Sequence, residues 1–427
     1  MSMSMIIALV IFLIAYVMIA LETYHKFVVS IVGAVCFLVL GYISQDNAFS
    51  HYIDWNVIFL LIGMMIMMGI IKDTGMFQYV AIKLAKMAKG NPVRILVALF
   101  FATGIISAFL DNVTTIIIMT PISILISVEL GISPLPFVIS QILASNIGGT
   151  ATLIGDPPNL MIGSAAKLSF VDFLKNLSLV IIINMVVTAS VLWLFFKKKL
   201  VVSNNRKARI LEFDEKQAIN DKGDLIIGLI VIALFLGLFF FHHHTHLMPA
   251  TIALVSAGIL MLKAKHLKME EFLATEIEWG TILFFIGLFI MVGALEEQGV
   301  IKYFSEIIIR LTDGSPRLTS MGILWTSGIA SAIIDNIPFV ATMIPLIENM
   351  GHVIGPVAVK PLWWSLSLGA CLGGNGTMIG ASANLIAISI CNKSGYKISF
   401  MTFTKFGALI TVLNLFIASI YLLIAYY

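Results

Sequence analysis

Charge is scarce in this chain: Asp, Glu, Lys and Arg make up 11% of its 427 residues, while hydrophobic residues make up 59%. A soluble domain carries about a quarter charged residues, so this composition, with a mean hydropathy of +1.03, excludes a water-soluble globular protein and defines a polytopic membrane protein. The formal net charge is only +3, and the basic residues fall mostly between apolar segments, so no nucleic-acid partner is expected and charge reports topology instead. Cysteine is nearly absent as well. Cys36, Cys371 and Cys391 form no CxxC pair and no disulfide framework; Cys371, just ahead of a glycine-rich motif, reads as a packing residue. The sequence holds no GxxxxGK[ST], no GxGxxG after a strand, no HExxH and no GxSxG. Nothing therefore points to a phosphate cradle, a catalytic centre or a cofactor, and no enzyme is expected.

What the chain has in abundance is apolar runs of bilayer length, about 20 residues each. They lie near 5–21, 27–43, 56–71, 135–165, 173–196, 225–241, 249–262, 280–295, 361–391 and 399–425. The first begins without a basic region or a small-residue cleavage site and reads as a retained span. Two further stretches, 94–128 and 317–350, are interrupted midway by Asp111-Asn112 and Asp335-Asn336. Short arms around a polar tip predict helical hairpins that enter and leave on the same side.

Two stretches say almost the same thing 225 residues apart: Gly148-Gly149-Thr150-Ala151-Thr152-Leu153-Ile154-Gly155-Asp156-Pro157-Pro158-Asn159 aligns without a gap on Gly373-Gly374-Asn375-Gly376-Thr377-Met378-Ile379-Gly380-Ala381-Ser382-Ala383-Asn384. Glycine, proline and asparagine weaken helices, and free backbone groups at membrane depth need a cavity to line. The pair therefore marks two broken helices, 135–165 and 361–391, and broken helices in corresponding halves point to a transporter's binding site. Upstream the repeat continues at an offset of 224, with Asp54-Trp55 answering to Glu278-Trp279, Gly75 to Gly299, Gly104 to Gly328, Ser107-Ala108 to Ser331-Ala332, and Pro121 to Pro345. Five crossings and one hairpin per half require the second copy to be inverted. The expected fold class is an all-α membrane protein of two inverted-topology repeats, 1–196 and 225–427, with about ten transmembrane helices, two re-entrant hairpins and two broken helices. The polar segment 197–224 is the linker between them.

Lys72, Lys83, Lys86, Lys89 and Arg94, then Lys263, Lys265 and Lys268, and the basic linker place those loops in the cytoplasm by the positive-inside rule. Both termini then fall outside, in a bacterial-type plasma membrane. Segments 76–88 and 300–311 alternate apolar and charged residues at helical spacing and read as interfacial amphipathic helices.

A carboxylate inside a bilayer costs about 2.5 kcal/mol or more, so Asp111, Asp156 and Asp335 need a reason to be there. Each stands at a helix interruption, where it can bind an ion; Asp111 and Asp335 can also cap the second hairpin arms. Asn112, Asn159, Asn336 and Asn384 recur in both halves and supply neutral oxygens and amides. Asn146 and Asn375 have no registered asparagine partner and carry less weight. Thr114, Thr115, Thr150, Thr152 and Thr377 offer hydroxyls, and Gly148, Gly149, Gly373 and Gly374 let a ligand approach free carbonyls. A coupling sodium ion would be sought near Asp111, Asn112, Gly149 and Asn159. Asp156 faces Ala381 in the other copy, so the coupling ion, H+ or Na+, is expected near Asp111 and Asp156. His242, His243, His244 and His246 read as solvated residues of an outer loop, Glu22, Glu129 and Glu348 as snorkelling or capping acids, and Met64, Met65, Met67 and Met68 as packing.

The hairpin DNVTT followed by TP, the loop GGTATLIGDPPN, and later DNIP with GGNGTMIGASAN resemble the ion transporter superfamily. Within it they are most similar to the branch of arsenite pumps, NhaD-type sodium/proton antiporters and the P protein. The resemblance covers essentially the whole chain. It implies two inverted repeats whose hairpins and broken helices meet at mid-membrane around the substrate, and it implies a homodimer. Dicarboxylate carriers of the superfamily carry Ser-Asn-Thr at the hairpin tips, whereas Asp-Asn here would repel a dicarboxylate. The expectation is a proton-coupled secondary transporter exporting a small inorganic ion, arsenite- or antimonite-type ahead of Na+/H+ antiport, with a carboxylate carrier and a channel as alternatives.

Overall fold

The computed structural model describes residues 1–21, 24–245, 247–264 and 267–427, with only the backbone of His243 and His244. Glu22, His246 and Lys265 lie outside the described residues, as do the His243 and His244 side chains. Every described element is helical. The first half runs α1 Met3–Ala20, α2 Lys26–Val39, α3 Gln45–Asn47 with a π-turn Ala48–Tyr52, α4 Trp55–Asp73, α5 Met76–Met87, α6 Pro92–Phe109, α7 Asn112–Leu130, α8 Leu135–Gly149, α9 Pro157–Ala165 and α10 Phe170–Phe196. The linker holds α11 Asn204–Glu212 and a 3-10 turn Glu215–Ala218. The second half repeats the order with α12 Lys222–Thr245, α13 Pro249–Lys263, α14 Met269–Glu276, α15 Trp279–Glu297, α16 Val300–Leu311, α17 Pro316–Ile333, α18 Asn336–Ile354, α19 Pro356–Gly373, α20 Ser382–Lys393 and α21 Phe400–Tyr426. Among the described residues nine helices are long and apolar enough to cross a membrane, and α2, α8 and α13 are shorter apolar helices.

The hairpins start alike in both halves because their sequences do. Asn91 accepts from the amides of Val93 and Arg94, Ser315 accepts from Leu318, and each cap is followed by proline at the first helical position, where its missing N–H is no loss. The first arms stop at Leu110 and Ile334, both extended, and Asp111 and Asp335 then cap the second arms. Gly75 and Gly299, both left-handed, turn the chain into the amphipathic helices α5 and α16.

Packing crosses between the halves. α2 lies on α15 and α4 on α13, whereas α6 packs on α8 and α17 on α19 within their own halves; α7 meets α20, and α9 meets α18. Lipid gives helices no hydrophobic reason to associate, so small residues must let backbones touch. Gly63 stands against the Ala253 backbone and Gly287 against the Ser30 carbonyl, so close that a Cβ would sit 2.8 Å and 2.7 Å from them. A Lys72–Glu276 ion pair of 2.7 Å adds a tie between α4 and α14.

The linker is strapped to the first half. Arg206 donates to the Leu130 carbonyl at 3.2 Å, Lys86 pairs with Glu215 at 2.6 Å, and Asn220 donates to the Asp73 carbonyl at 2.7 Å. Since helices alternate in direction from it, the linker face also carries the start of α2 and of α15.

Two boundaries differ from expectation. α12 continues to Thr245, so His242, His243 and His244 extend the helix and are not loop: elongation adds a backbone hydrogen bond whatever the side chain. α19 starts at Pro356, a good first helical residue, and Pro361 lies inside it.

Candidate substrate and ion site

The two breaks and the two hairpin tips converge. α7, α9, α18 and α20 all begin there and α6, α8, α17 and α19 end there, so positive helix starts and free carbonyls share one region. Asn146, on the last turn of α8, is at its centre. Its amide accepts from Asn112 Nδ2 at 3.3 Å and donates to Oδ1 of both Asn375 and Asn384 at 2.9 Å. Asn146 and Asn375, which lack asparagine partners in the repeat, are thus joined to each other across it. The register of the two loops pairs Thr150 with Asn375 and, two residues upstream of the motif, Asn146 with Cys371.

Asp156 ties the two tips together. Its Oδ1 accepts from Asn112 Nδ2 at 3.1 Å and its Oδ2 from Asn336 Nδ2 at 3.4 Å. It makes no side-chain cap to α9, whose first residue is Pro157, and among the described residues it has no ion pair. The Cys371 thiol also bonds the Asp156 side chain; a buried carboxylate held only by neutral groups keeps unused acceptor capacity for a cation.

Asn159 and Asn384 do matching structural work in the breaks. Asn159 Nδ2 reaches the carbonyls of Thr150 at 3.2 Å and Thr152 at 2.9 Å, and that of Gly149 at 3.5 Å; Asn384 Nδ2 reaches Gly374 at 2.7 Å and Thr377 at 2.9 Å. On its other side Asn159 Oδ1 accepts from Ser367 Oγ at 2.6 Å and lies 3.6 Å from Cys371 Sγ. Thr152 and Thr377 donate to the carbonyls of Ala108 and Ala332, pinning each break to its hairpin, while Thr150 bonds back to the Asn146 carbonyl. The Thr114 amide caps onto Asp111 at 2.8 Å, and the Thr115 hydroxyl is buried without a partner among the described residues.

The glycines divide into two uses. Gly148 faces the Gly104 backbone and Gly373 the Gly328 carbonyl, which brings α8 onto α6 and α19 onto α17. Gly149 and Gly374 face the breaks: the Gly149 and Ser107 carbonyls crowd Gly155, and those of Gly374 and Ser331 crowd Gly380.

The acids at the tips have unlike surroundings. Asp111 lines a cavity of about 30 Å3 together with Lys26, Pro157, Glu278 and Ser382, room for one water or one bare cation. Asp335 instead accepts from Lys26 Nζ at 2.9 Å and Ser382 Oγ at 2.8 Å. A cavity of about 590 Å3, lined by Tyr24, His25, Lys26, Glu278 and Asp335 among others, lies at the linker-face ends of α2 and α15. A second, of about 480 Å3, lies on the opposite face beside Asp54, Glu296 and Glu348 and is not lined by either tip acid.

Lys26 had no signal in the sequence, because it stands one residue before an apolar run and 309 positions from its partner. Ser367 was hidden among small residues of α19.

Nine membrane-length helices among the described residues, inverted halves and a polar centre built from broken helices define a polytopic membrane transporter. The chain belongs to the citrate transporter family, whose model matches residues 16–369. It is 42% identical to an uncharacterized transporter of Mycobacterium tuberculosis and 40% identical to a 46 kDa membrane protein of Mycobacterium leprae, each over 99% of both chains. The human P protein is 30% identical over 96% of this chain and 59% of its own length. Among solved structures, the YdaH transporter of Alcanivorax borkumensis matches with a TM-score of 0.56 at 13% identity, over 91% of this chain and 87% of that one.

Proposed function

We propose that this transporter is a secondary active carrier that couples a cation, H+ or Na+, held at Asp156 to the movement of a small inorganic species through the asparagine cluster. The observation that supports it most is the buried carboxylate of Asp156, bonded to Asn112 and Asn336, one from each hairpin. A proton or metal ion on that carboxylate takes acceptor capacity from both amides at once. Coupling follows: loading one residue loosens both tips, whose helices belong to opposite halves.

For the substrate, neutral amides from Asn112, Asn146, Asn336 and Asn375, with the Thr115 hydroxyl, suit an undissociated trihydroxide such as arsenite or antimonite. Na+/H+ antiport is the second reading, favoured by the single-ion cavity beside Asp111. A carboxylate cargo, as the family description names, meets three acids, Asp111, Asp156 and Asp335, against one nearby lysine. The test is a panel in vesicles containing the purified protein and an internal pH dye, with sodium, lithium, arsenite, antimonite and labelled citrate added in turn. Proton movement or label uptake with arsenite or antimonite supports the first reading and with sodium or lithium the second; citrate counterflow alone rejects both, and flux that ignores every imposed cation gradient rejects coupling.

A further inference from the structure

Lys26 is the first residue of α2, where the positive end of the helix disfavours another cation. No side-chain cap offsets this, since His25 makes none. Its compensation comes from the second hairpin and the second break: Lys26 Nζ lies 2.9 Å from Asp335 Oδ2 and 2.7 Å from Ser382 Oγ, and Ser382 Oγ closes the triangle with Asp335 at 2.8 Å. A carboxylate, a hydroxyl and a compact ammonium in this arrangement amount to a small-cation site whose cation is a side chain. Lys26 side-chain exposure is 29% and that of Asp335 is 13%, so the triangle stands at the edge of the large linker-face cavity it lines.

The repeat makes the arrangement one-sided. Position 26 answers to Ala250, and Ser382 answers to Pro157, so the repeat supplies no second ammonium and no second hydroxyl to pair with Asp111. Asp111 is left with its Thr114 cap and the small cavity, which Lys26 and Glu278 also line. Both tips keep their acid, but only one is already filled.

We propose that Lys26 is the resident cation of the second hairpin tip, occupying Asp335 and Ser382 so that no second external cation binds there and coupling is confined to the first half. The inference rests on the reading of Asp156 as the coupling residue. Removing the ammonium opens a vacant carboxylate–hydroxyl site facing the linker-face cavity, and that site takes up a proton or a sodium ion from solution.

The experiment uses vesicles of the full chain adsorbed on a solid-supported membrane, with a pH step and a Na+ step as separate probes and displaced charge per protein as the readout. Asp156→Asn alone is expected to give no more than the baseline of the small Asp111 cavity, and the other variants are scored against that baseline. Lys26→Gln/Asp156→Asn and Lys26→Met/Asp156→Asn are expected to regain a displacement above it to at least one probe, and Lys26→Arg/Asp156→Asn and Lys26→Gln/Asp156→Asn/Asp335→Asn to stay at it. Gel filtration and thermal melting establish that each variant is folded, and the Gln and Met versions give two chances that one is. A folded Gln or Met double variant no higher than Asp156→Asn overturns the proposal, as does a response above baseline that survives Asp335→Asn. If Asp156→Asn responds like the wild type, the reading of Asp156 falls instead; the proposal is then decided by whether Lys26→Gln adds a further displacement that Asp335→Asn removes.

Discussion

Asn146 holds three other asparagines at once, so its loss separates structural from functional cost. Interhelical hydrogen bonds within membranes average about 0.6 kcal/mol, and three of them are lost in Asn146→Ala. The expected outcome is a folded protein, destabilised by about 2 kcal/mol in detergent, with transport abolished; wild-type flux in that variant would deny Asn146 a place in the site. The Lys26–Asp335 pair gives a second prediction at this scale. Stripping one partner strands the other charge, at a cost between the surface limit of about 1 kcal/mol and the buried limit of about 3 kcal/mol. Lys26→Met and Asp335→Asn should each lower the melting temperature, and the double variant by less than the sum of the two. Additive losses would mean that the 2.9 Å contact carries no coupling. The acids and repeated asparagines were legible in the sequence because polar residues at membrane depth are conspicuous. Asn146 was discounted because its repeat partner is a cysteine, and Lys26 passed unnoticed because a lysine at a span's edge is ordinary until its partner is seen.

At the scale of elements, glycine contacts set how closely each broken helix meets its hairpin. A methyl group at Gly148 runs into the Gly104 backbone, which has no rotamer to yield, whereas nothing lies within 4 Å of the position a Cβ would take on Gly258. Gly148→Ala should cost about 1–3 kcal/mol as overpacking, while Gly258→Ala should be neutral or stabilising by up to about 1 kcal/mol from helix propensity; melting of the two variants side by side checks the contrast. The strapped linker responds to pH. The Lys86 ammonium holds the Glu215 carboxyl below its ordinary range, so the pair's contribution is fully present above the unfolded value of about 4.3 and is lost as pH falls through the lower folded value. Protease nicking of the linker should therefore rise on acidification below about pH 4 in the wild type, and Glu215→Gln should be nicked faster already at pH 7. The hairpins and breaks themselves were legible from Asp-Asn and glycine interruptions, and the amphipathic α5 and α16 from their periodicity. The histidine run was not, because a polar stretch after a span looks like loop even when the helix carries on.

On the scale of the whole molecule, the inverted repeat follows from the sequence, since an odd number of crossings per half leaves no other solution. The exchange of α2 and α4 between halves does not, because nothing in an apolar helix names its neighbour in lipid. That exchange couples the halves, and Asp156 joins their hairpin tips at the centre. The direct test is proton- or sodium-driven flux in vesicles, wild type against Asp156→Asn, with uptake of the active substrate recorded at matched and opposed cation gradients. The account predicts that wild-type uptake follows the cation gradient, and that Asp156→Asn, folded and melting within a few degrees of the wild type, loses all gradient dependence. Gradient-driven uptake persisting in Asp156→Asn would contradict it.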